Sequence, residues 1–193
     1  MIEKVKLETE RLTLVPFKEE FLNDFYEYAK VPGVGECAGW PHHKSIEESK
    51  KILDIFIRDN QNYALIYKDN NKCIGSLGIM DTDLIHSKEY EDKFGGQHGI
   101  EIGYVLNKDY WGRGLMTEAV KKVIDHLFKE NLVDVIIICH YDFNHRSDRV
   151  VQKCGLHYWF TVKNYKLKLL DEVHDDICFY IEKDEYLKNN PTK

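Results

Sequence analysis

Residues 101–119 decide the fold, and they read EIGYVLNKDYWGRGLMTEA. An apolar strand pattern runs to Leu106, a turn carries Gly112 and Gly114, and an amphipathic helix begins at about Leu115. The first turn of a helix presents backbone N–H groups and the positive end of the helix dipole, both of which attract anions. Glycine also lets a phosphate approach the backbone closely. The stretch therefore predicts either an anion-binding turn or a tight strand-to-helix turn that binds nothing.

Two common phosphate-binding motifs are excluded at this turn. No Gly-Lys-Ser/Thr follows the glycines, so the segment is not a P-loop. Thr117 stands where the dinucleotide-binding fingerprint requires its last glycine. Arg113 adds a positive charge to the turn, and Thr117 adds a hydroxyl that can contact an anion.

The composition narrows the functional class. The chain has 193 residues, of which 43% are hydrophobic and 12% aromatic, and this predicts one globular domain over residues 1–193. It carries 27 Lys and Arg against 33 Asp and Glu, a net charge of −6. That balance argues against a general nucleic-acid-binding protein, which needs a basic face to neutralise phosphates.

The longest strongly apolar run covers only residues 135–139, far short of the ~20 residues that a membrane-spanning helix needs. The N-terminal segment has no apolar signal region, so a cytoplasmic location without a membrane partner is expected. The five cysteines form no C-x-x-C pair and the nine histidines show no ligand spacing. No metal site is predicted from them.

Apolar spacing and turn residues predict a mixed α+β order of elements. Ser45 and Glu48 fit a capping box at the start of the second helix. Residues 81–98 are polar and predict a long loop. Helices are expected at about 19–30, 46–58, 115–129 and 145–153, and strands at about 12–15, 63–67, 73–80, 100–106, 135–140, 156–162 and 177–182.

Four stretches in this order resemble the GNAT superfamily of acyl-CoA-dependent N-acyltransferases. They are residues 9–14 (TERLTL), 101–104 (EIGY), 110–119 and 144–156. The resemblance is closest to the branch of bacterial ribosomal-protein N-terminal acetyltransferases, RimJ and RimL. It implies a mixed, mostly antiparallel central sheet of about seven strands, splayed at strands 4 and 5, with helices on both faces. It also implies acetyl-CoA as the acyl donor.

The resemblance implies which residues bind the cofactor. The superfamily pattern Gln/Arg-x-x-Gly-x-Gly/Ala has Trp111 at its first place here and Met116 at its last. Backbone N–H groups near Val105 and Leu106 are expected to face the thioester as oxyanion donors. Asn144 is expected either at the pantetheine arm or as a plain helix cap. The cofactor-binding set is Val105, Leu106, Trp111, Gly112, Arg113, Gly114, Leu115, Met116, Thr117, Asn144 and Arg146, and Lys108, Arg149 and Lys153 are expected to be ordinary solvated charges.

The resemblance also implies two catalytic residues. Glu101 is expected to be the base that takes a proton from the acceptor amine, or else a carboxylate that only orients it. Ser147 is expected to stabilise the leaving thiolate, or else only to satisfy backbone groups at a helix start. Many relatives place a Tyr seven residues after the Asn, but Val151 stands there in this chain. Trp40 and Tyr104 are assigned to the acceptor side, with a core position as the alternative for Trp40.

The resulting functional hypothesis is direct transfer of an acetyl group to a primary amine in a ternary complex, by a monomer or homodimer. The amine is a protein N-terminal amine or a small amine such as a polyamine or an aminoglycoside. The acidic segment 171–176 is expected in a connection on the acceptor side, where it attracts a cation or is only a solvated loop. The alternatives are a non-catalytic acyl-CoA-sensing module on the same fold and an interaction domain whose glycine turn binds nothing.

Overall fold

A computed structural model describes residues 2–191. The strands are β1 Leu7–Glu8, β2 Leu12–Pro16, β3 Asn62–Tyr67, β4 Lys72–Met80, β5 Gly99–Leu106, β6 Val135–Tyr141, β7 His157–Leu167 and β8 Glu172–Glu182. The α-helices are α1 Leu22–Ala29, α2 Ile46–Asp59, α3 Lys88–Phe94, α4 Leu115–Lys129, α5 His145–Lys153 and α6 Lys183–Asn189. Short 3-10 helices precede α1, α2, α3 and α4.

The eight strands form one sheet in the order β1-β2-β3-β4-β5-β6-β8-β7. Every neighbouring pair is antiparallel except β5 and β6, which are parallel. These two strands pair only from Gly99 with Val135 to Glu101 with Ile137. Beyond Glu101 they separate, so the expected splay lies here between the fifth and sixth strands. The count is one higher than expected because the two-residue strand β1 joins the edge.

Both faces of the sheet are covered by helices because the strands alternate their apolar side chains. Helices α4, α5 and α6 pack on one face, against residues such as Ile136 and Ile138. Helices α1 and α2 pack on the other face, against Ala64. Helix α3 covers the same face further along, against Ile137.

Two sequence predictions are corrected by the structure. Residues 81–98 are not a plain loop, because they contain a 3-10 helix and α3, which buries Tyr90 and Phe94. Leu84 and Ile85 in the preceding 3-10 helix are half-buried against the cluster that contains Tyr90 and Phe94. So few apolar positions do not show helical periodicity in the sequence.

The last two strands are longer than predicted. The register of β7 shifts between Tyr158 and Phe160 and between Val162 and Tyr165. These shifts interrupt the alternation of side chains between the two faces, so the sequence pattern does not indicate the second half of the strand. Most of the acidic segment 171–176 therefore lies in strand β8 and not in a connection. No helix within residues 2–191 has the length and apolar character needed to cross a membrane.

Candidate active site

Two neighbouring cavities open where β5 and β6 separate. The first, of about 200 Å³, lies between the end of β5, the turn before α4, and α5. The second, of about 150 Å³, lies on the other side of Tyr104, toward Glu101 and Tyr141. Four residues line both cavities: Cys37, Tyr104, Asn144 and Ser147.

The turn before α4 is shaped to hold an anion. Gly112 and Gly114 have φ of +76° and +77°, a left-handed conformation that side-chain-bearing residues adopt only with strain. Gly114 is the N-cap of α4, so no side chain covers the backbone N–H groups of its first turn. Leu115, Met116 and Thr117 from that turn line the first cavity, as predicted for the cofactor site.

Arg11, which directly precedes β2, holds this turn in place. Its backbone N–H and Nε donate to the two carboxylate oxygens of Glu118, at 2.9 and 2.7 Å. Its Nη1 donates to the carbonyl of Arg113 at 3.0 Å. The sequence analysis did not assign Arg11 to the site, although the residue belongs to the quoted stretch 9–14.

Trp111 and Arg146 form one wall of the first cavity. The Trp111 indole N–H donates to the carbonyl of Leu106 at 2.7 Å, which fixes the ring beside the end of β5. The Arg146 guanidinium lies 3.9 Å from the centroid of the Trp111 ring. Val105 and Leu106 line the same cavity. Beyond Glu101 their strand has no β6 partner within the described residues, so its edge is open to a ligand.

The cations differ in part from those predicted. The Arg113 guanidinium lies 5.1 Å from the Tyr110 ring centroid, and among the described residues Arg113 is not one that lines the cavity. Arg149 and Lys153 line it together with Arg146. The three residues are spaced at three and four positions, which places them on one face of α5. This helical spacing could have indicated that Arg149 and Lys153 face the same side as Arg146, although both were expected to be ordinary solvated charges.

Asn144 and Ser147 take different roles at the start of α5. Asn144 is the N-cap: its side-chain oxygen accepts the Ser147 backbone N–H at 3.2 Å, and its Nδ2 donates to the Cys37 carbonyl at 3.0 Å. The Ser147 hydroxyl is buried and pairs with the Tyr104 hydroxyl at 2.7 Å. Ser147 is therefore not the capping side chain. Burial raises the pKa of Tyr104, so its hydroxyl stays neutral and can donate.

Glu101 is the last residue of β5 that pairs with β6, and its side chain lines the second cavity. The Thr82 hydroxyl donates to Glu101 Oε2 at 2.8 Å. Burial raises the pKa of Glu101, and the hydrogen bond from Thr82 only partly opposes this. A carboxylate with a raised pKa is a better proton acceptor than a free one.

Trp40 does not occupy the position expected for it. It packs in the apolar cluster of α1 and α2, with its ring centroid 5.1 Å from that of His43. The same loop instead contributes Cys37 and Ala38 to the second cavity. The aromatic side chain that lines the cavity beside Tyr104 is Tyr141.

Two thiols and a carboxylate lie close together at this end of the sheet. The donor atoms of Cys139, Asp176 and Cys178 lie within 4.8 Å of one another. Contact with Cys178 and burial both raise the pKa of Cys139, which keeps its thiol protonated near neutral pH. A neutral thiol is a weak nucleophile, so Cys139 is not arranged as an acyl carrier.

Comparison with known proteins identifies the family. The acetyltransferase (GNAT) domain family matches residues 11–157. The chain belongs to the GNAT acetyltransferases.

Its GNAT relatives share both sequence and fold. The uncharacterized N-acetyltransferase YnaD of Bacillus subtilis is 29% identical over 154 residues, which cover 77% of this chain and 80% of YnaD. A GNAT-family acetyltransferase from Bacillus anthracis has the same fold, with a TM-score of 0.79 at 21% identity over 93% of this chain and 99% of that one. RimL, a ribosomal L7/L12 α-N-protein acetyltransferase solved with coenzyme A, has a TM-score of 0.72 at 16% identity over 92% and 98% of the two chains.

These findings confirm the predicted family, fold class and enzyme class: the chain is a GNAT acetyl-CoA acyltransferase. The structure brings most of the predicted residues together. All eleven predicted cofactor residues except Arg113 line the first cavity, and Glu101, Tyr104 and Ser147 line the second. The site residues that the sequence did not indicate include Arg11, Tyr141, Arg149 and Lys153. Asp176 belongs to the acidic segment 171–176, which was expected on the acceptor side, and it lines the second cavity.

Proposed function

We propose that this GNAT enzyme transfers the acetyl group of acetyl-CoA directly to a primary amine held in the second cavity. The observation that carries the proposal is that the two cavities meet at Tyr104 and Ser147. A donor in the first cavity and an acceptor in the second would therefore have their reacting ends side by side, which is what direct transfer requires.

The first cavity suits the donor's chemistry. Coenzyme A is a polyanion, and a net-acidic protein needs local positive charge to bind it. The start of α4 offers backbone N–H groups and the helix dipole to a pyrophosphate. Arg146, Arg149 and Lys153 add three positive charges on the facing helix. The open edge of β5 at Val105 and Leu106 offers peptide groups to an amide-bearing arm.

In the proposed reaction, Glu101 accepts a proton from the acceptor ammonium, and the freed amine nitrogen attacks the thioester carbonyl carbon. The C–N bond forms and the carbonyl oxygen takes up negative charge. Collapse of this intermediate breaks the C–S bond, and the surplus proton on the nitrogen passes to the departing thiolate, which leaves as the thiol. A peptide N–H at the end of β5 stabilises the oxygen. In the Tyr104–Ser147 pair one hydroxyl donates to the other, and the second hydroxyl is free to donate to the departing thiolate.

The test is release of free thiol from acetyl-CoA with a panel of acceptors, checked by the mass gain of each acceptor. The panel holds N-terminal peptides, polyamines and aminoglycosides, with an acceptor-free control. Acceptor-dependent release with a gain of one acetyl group supports transfer. Tight binding of acetyl-CoA without release from any acceptor would favour the sensing module instead.

Glu101→Gln is expected to lower kcat by about 10- to 100-fold, because the amide cannot take the proton. The loss should be largest at low pH, where the acceptor is protonated, and should shrink at high pH as the free amine becomes abundant. The affinity for acetyl-CoA, measured by calorimetry, should be unchanged.

The matched control is Glu89→Gln, which removes an exposed carboxylate on α3 and should leave the pH profile of the wild type. A Glu101→Gln enzyme with the wild-type pH–rate profile would remove Glu101 from the mechanism.

A further inference from the structure

The strand register brings a second carboxylate next to Glu101. On β6, Ile137, Cys139 and Tyr141 share one face because side chains alternate along a strand. Glu101 is the partner of Ile137 on β5, and Asp176 is the partner of Tyr141 on β8. The two carboxylates therefore lie on the same face, on opposite sides of β6, and both line the second cavity.

Asp176 lacks the donors that a buried carboxylate normally has. Its Oδ1 is buried and has no hydrogen-bond partner among the described residues. Glu101, in contrast, accepts a hydrogen bond from the Thr82 hydroxyl. A buried polar oxygen without a partner is costly, and such atoms are normally paired with a protein group, a water molecule or a bound ligand. The unsatisfied oxygen of Asp176 lines the cavity in which the acceptor is proposed to bind.

The charges around the cavity leave Asp176 without a cation. The described residues that line the second cavity include two carboxylates and neither lysine nor arginine. The other ionisable lining groups are Cys37, Cys139, His140, Tyr104 and Tyr141. The His140 side chain belongs to the opposite face of β6, where its ring stacks on Phe179. On the Asp176 face, the Tyr141 ring stacks with Tyr165 and Phe143, and aromatic faces of this kind attract cations.

We propose that Asp176 binds a second ammonium group of the acceptor, so that the acceptor is a short aliphatic diamine or the end of a polyamine. This inference rests on the proposed function. Once Glu101 takes the proton from the reacting nitrogen, Glu101 is neutral and Asp176 is the charge that remains in the cavity. A monoamine leaves that charge unpaired through the reaction, whereas a diamine keeps an ammonium beside it.

The size of the cavity agrees with this class of acceptor. The second cavity, of about 150 Å³, has room for a short alkyl chain with two amino groups. A carboxylate at the far end of the chain would meet Asp176 and be repelled. The N-terminal end of a peptide would bring a neutral amide in place of the second ammonium.

The test compares three amines of equal length that differ only at the far end: 1,4-diaminobutane, n-butylamine and 4-aminobutanoate, with an N-terminal peptide as the fourth acceptor. At low salt and pH 8, kcat/KM for the diamine should exceed that for butylamine at least tenfold, as expected for a charge-assisted hydrogen bond. The value for 4-aminobutanoate should be lower than that for butylamine.

Asp176→Asn should lower kcat/KM for the diamine at least tenfold more than for butylamine, mainly through KM. Asp175→Asn is the matched control, because Asp175 is the neighbouring acid on the other face of β8 and pairs with Lys163. It should leave the ratio between the two amines as in the wild type. The affinity of each variant for acetyl-CoA reports whether the fold is intact.

The possible failures can be told apart. Equal kcat/KM for diamine and butylamine in the wild type would overturn the inference without any variant, and so would a tenfold preference for the peptide. An equal loss on both amines in Asp176→Asn would show a structural role only. If no acceptor at all is acetylated by protein that binds acetyl-CoA, the proposed function fails and this inference fails with it.

Discussion

The negative charge of Asp176 lowers the free energy of unfolding of the protein at neutral pH. Burial, and then the charge of Glu101, raise the pKa of Asp176 to about 6. In the unfolded chain the same carboxyl titrates near ~3.9. The folded state therefore binds this proton more tightly, and the stability that the proton contributes is full below ~3.9 and is lost as pH rises through about 6. Retaining such a residue at a cavity is typical of a binding role.

Asp176→Asn is accordingly expected to raise the free energy of unfolding at pH 8 by about 1–2 kcal/mol, because the amide has no charge to bury. At pH 3, where the carboxyl is largely protonated in both states, the variant and wild type should be about equally stable. Urea denaturation at the two pH values measures the difference.

Asp175→Asn serves again as the comparison. The hydrogen bond from Lys163 holds the pKa of Asp175 below its usual range, so removing this charge should give no gain at pH 8. If the Asp176→Asn variant is no more stable than the wild type at pH 8, the cost assigned to the buried charge is contradicted.

At the scale of single elements, the turn between β5 and α4 is built from contacts on two sides. The left-handed Gly112 and Gly114 shape it from within, and Arg11, directly before β2, holds the Arg113 carbonyl from outside. Arg11 also pairs with Glu118 in the first turns of α4. The turn is therefore set before any ligand arrives, which reduces the entropy lost on binding.

Substitution of Gly114 separates backbone strain from charge. A Cβ at this position has open space, since the nearest atom is Arg11 Nη2 at 3.8 Å, but φ of +77° strains any L-residue. Gly114→Ala is expected to cost about 1 kcal/mol of stability and to weaken acetyl-CoA binding only modestly. Gly114→Asp carries the same strain and adds a negative charge at the anion site, so its affinity should be at least about tenfold lower than that of Gly114→Ala.

Calorimetry of acetyl-CoA binding to the two variants provides the comparison, with thermal unfolding as the measure of strain. Equal affinities of the alanine and aspartate variants for acetyl-CoA would contradict the assignment of this turn as the pyrophosphate-binding site. The alanine variant is essential, because the positive φ means that the aspartate variant loses stability as well as charge complementarity.

At the scale of the whole molecule, the splay between β5 and β6 connects the two cavities. The parallel pairing ends at Glu101, so the sheet opens where donor and acceptor are proposed to meet. Helices α4 and α5 supply the donor side from one face, and β6 and β8 supply the acceptor side from the other. No chemical step needs to pass through an enzyme-bound acyl group.

The kinetics are therefore expected to be sequential. Double-reciprocal plots at varied acetyl-CoA and fixed acceptor should intersect, and acetyl-CoA alone should release no thiol beyond background. Mass spectrometry of the protein after incubation with acetyl-CoA should show no added acetyl group on Cys139, because its thiol is protonated. Parallel lines together with an acetylated cysteine would instead indicate a covalent intermediate.

The local parts of this protein were determined by its sequence alone. Three features rest on residues close together in the chain, and the structure has all three: the Ser45 cap of α2, the helix after Gly114, and the position of Glu101 near the start of a strand. Local backbone preferences and apolar periodicity operate over only a few residues, so a reader of the sequence can recover them.

The tertiary structure alone decided which distant residues share the site. Arg11 and Glu118 are 107 residues apart, and Asp176 reaches Glu101 only through the register of β5, β6 and β8. The same packing turns Arg113 onto Tyr110 and buries Trp40 against His43. Register and side-chain direction follow from which strands pair and where bulges fall, and these depend on contacts along the whole chain. The sequence therefore determined the turn that is proposed to bind the donor, whereas the fold decided what surrounds the proposed acceptor cavity.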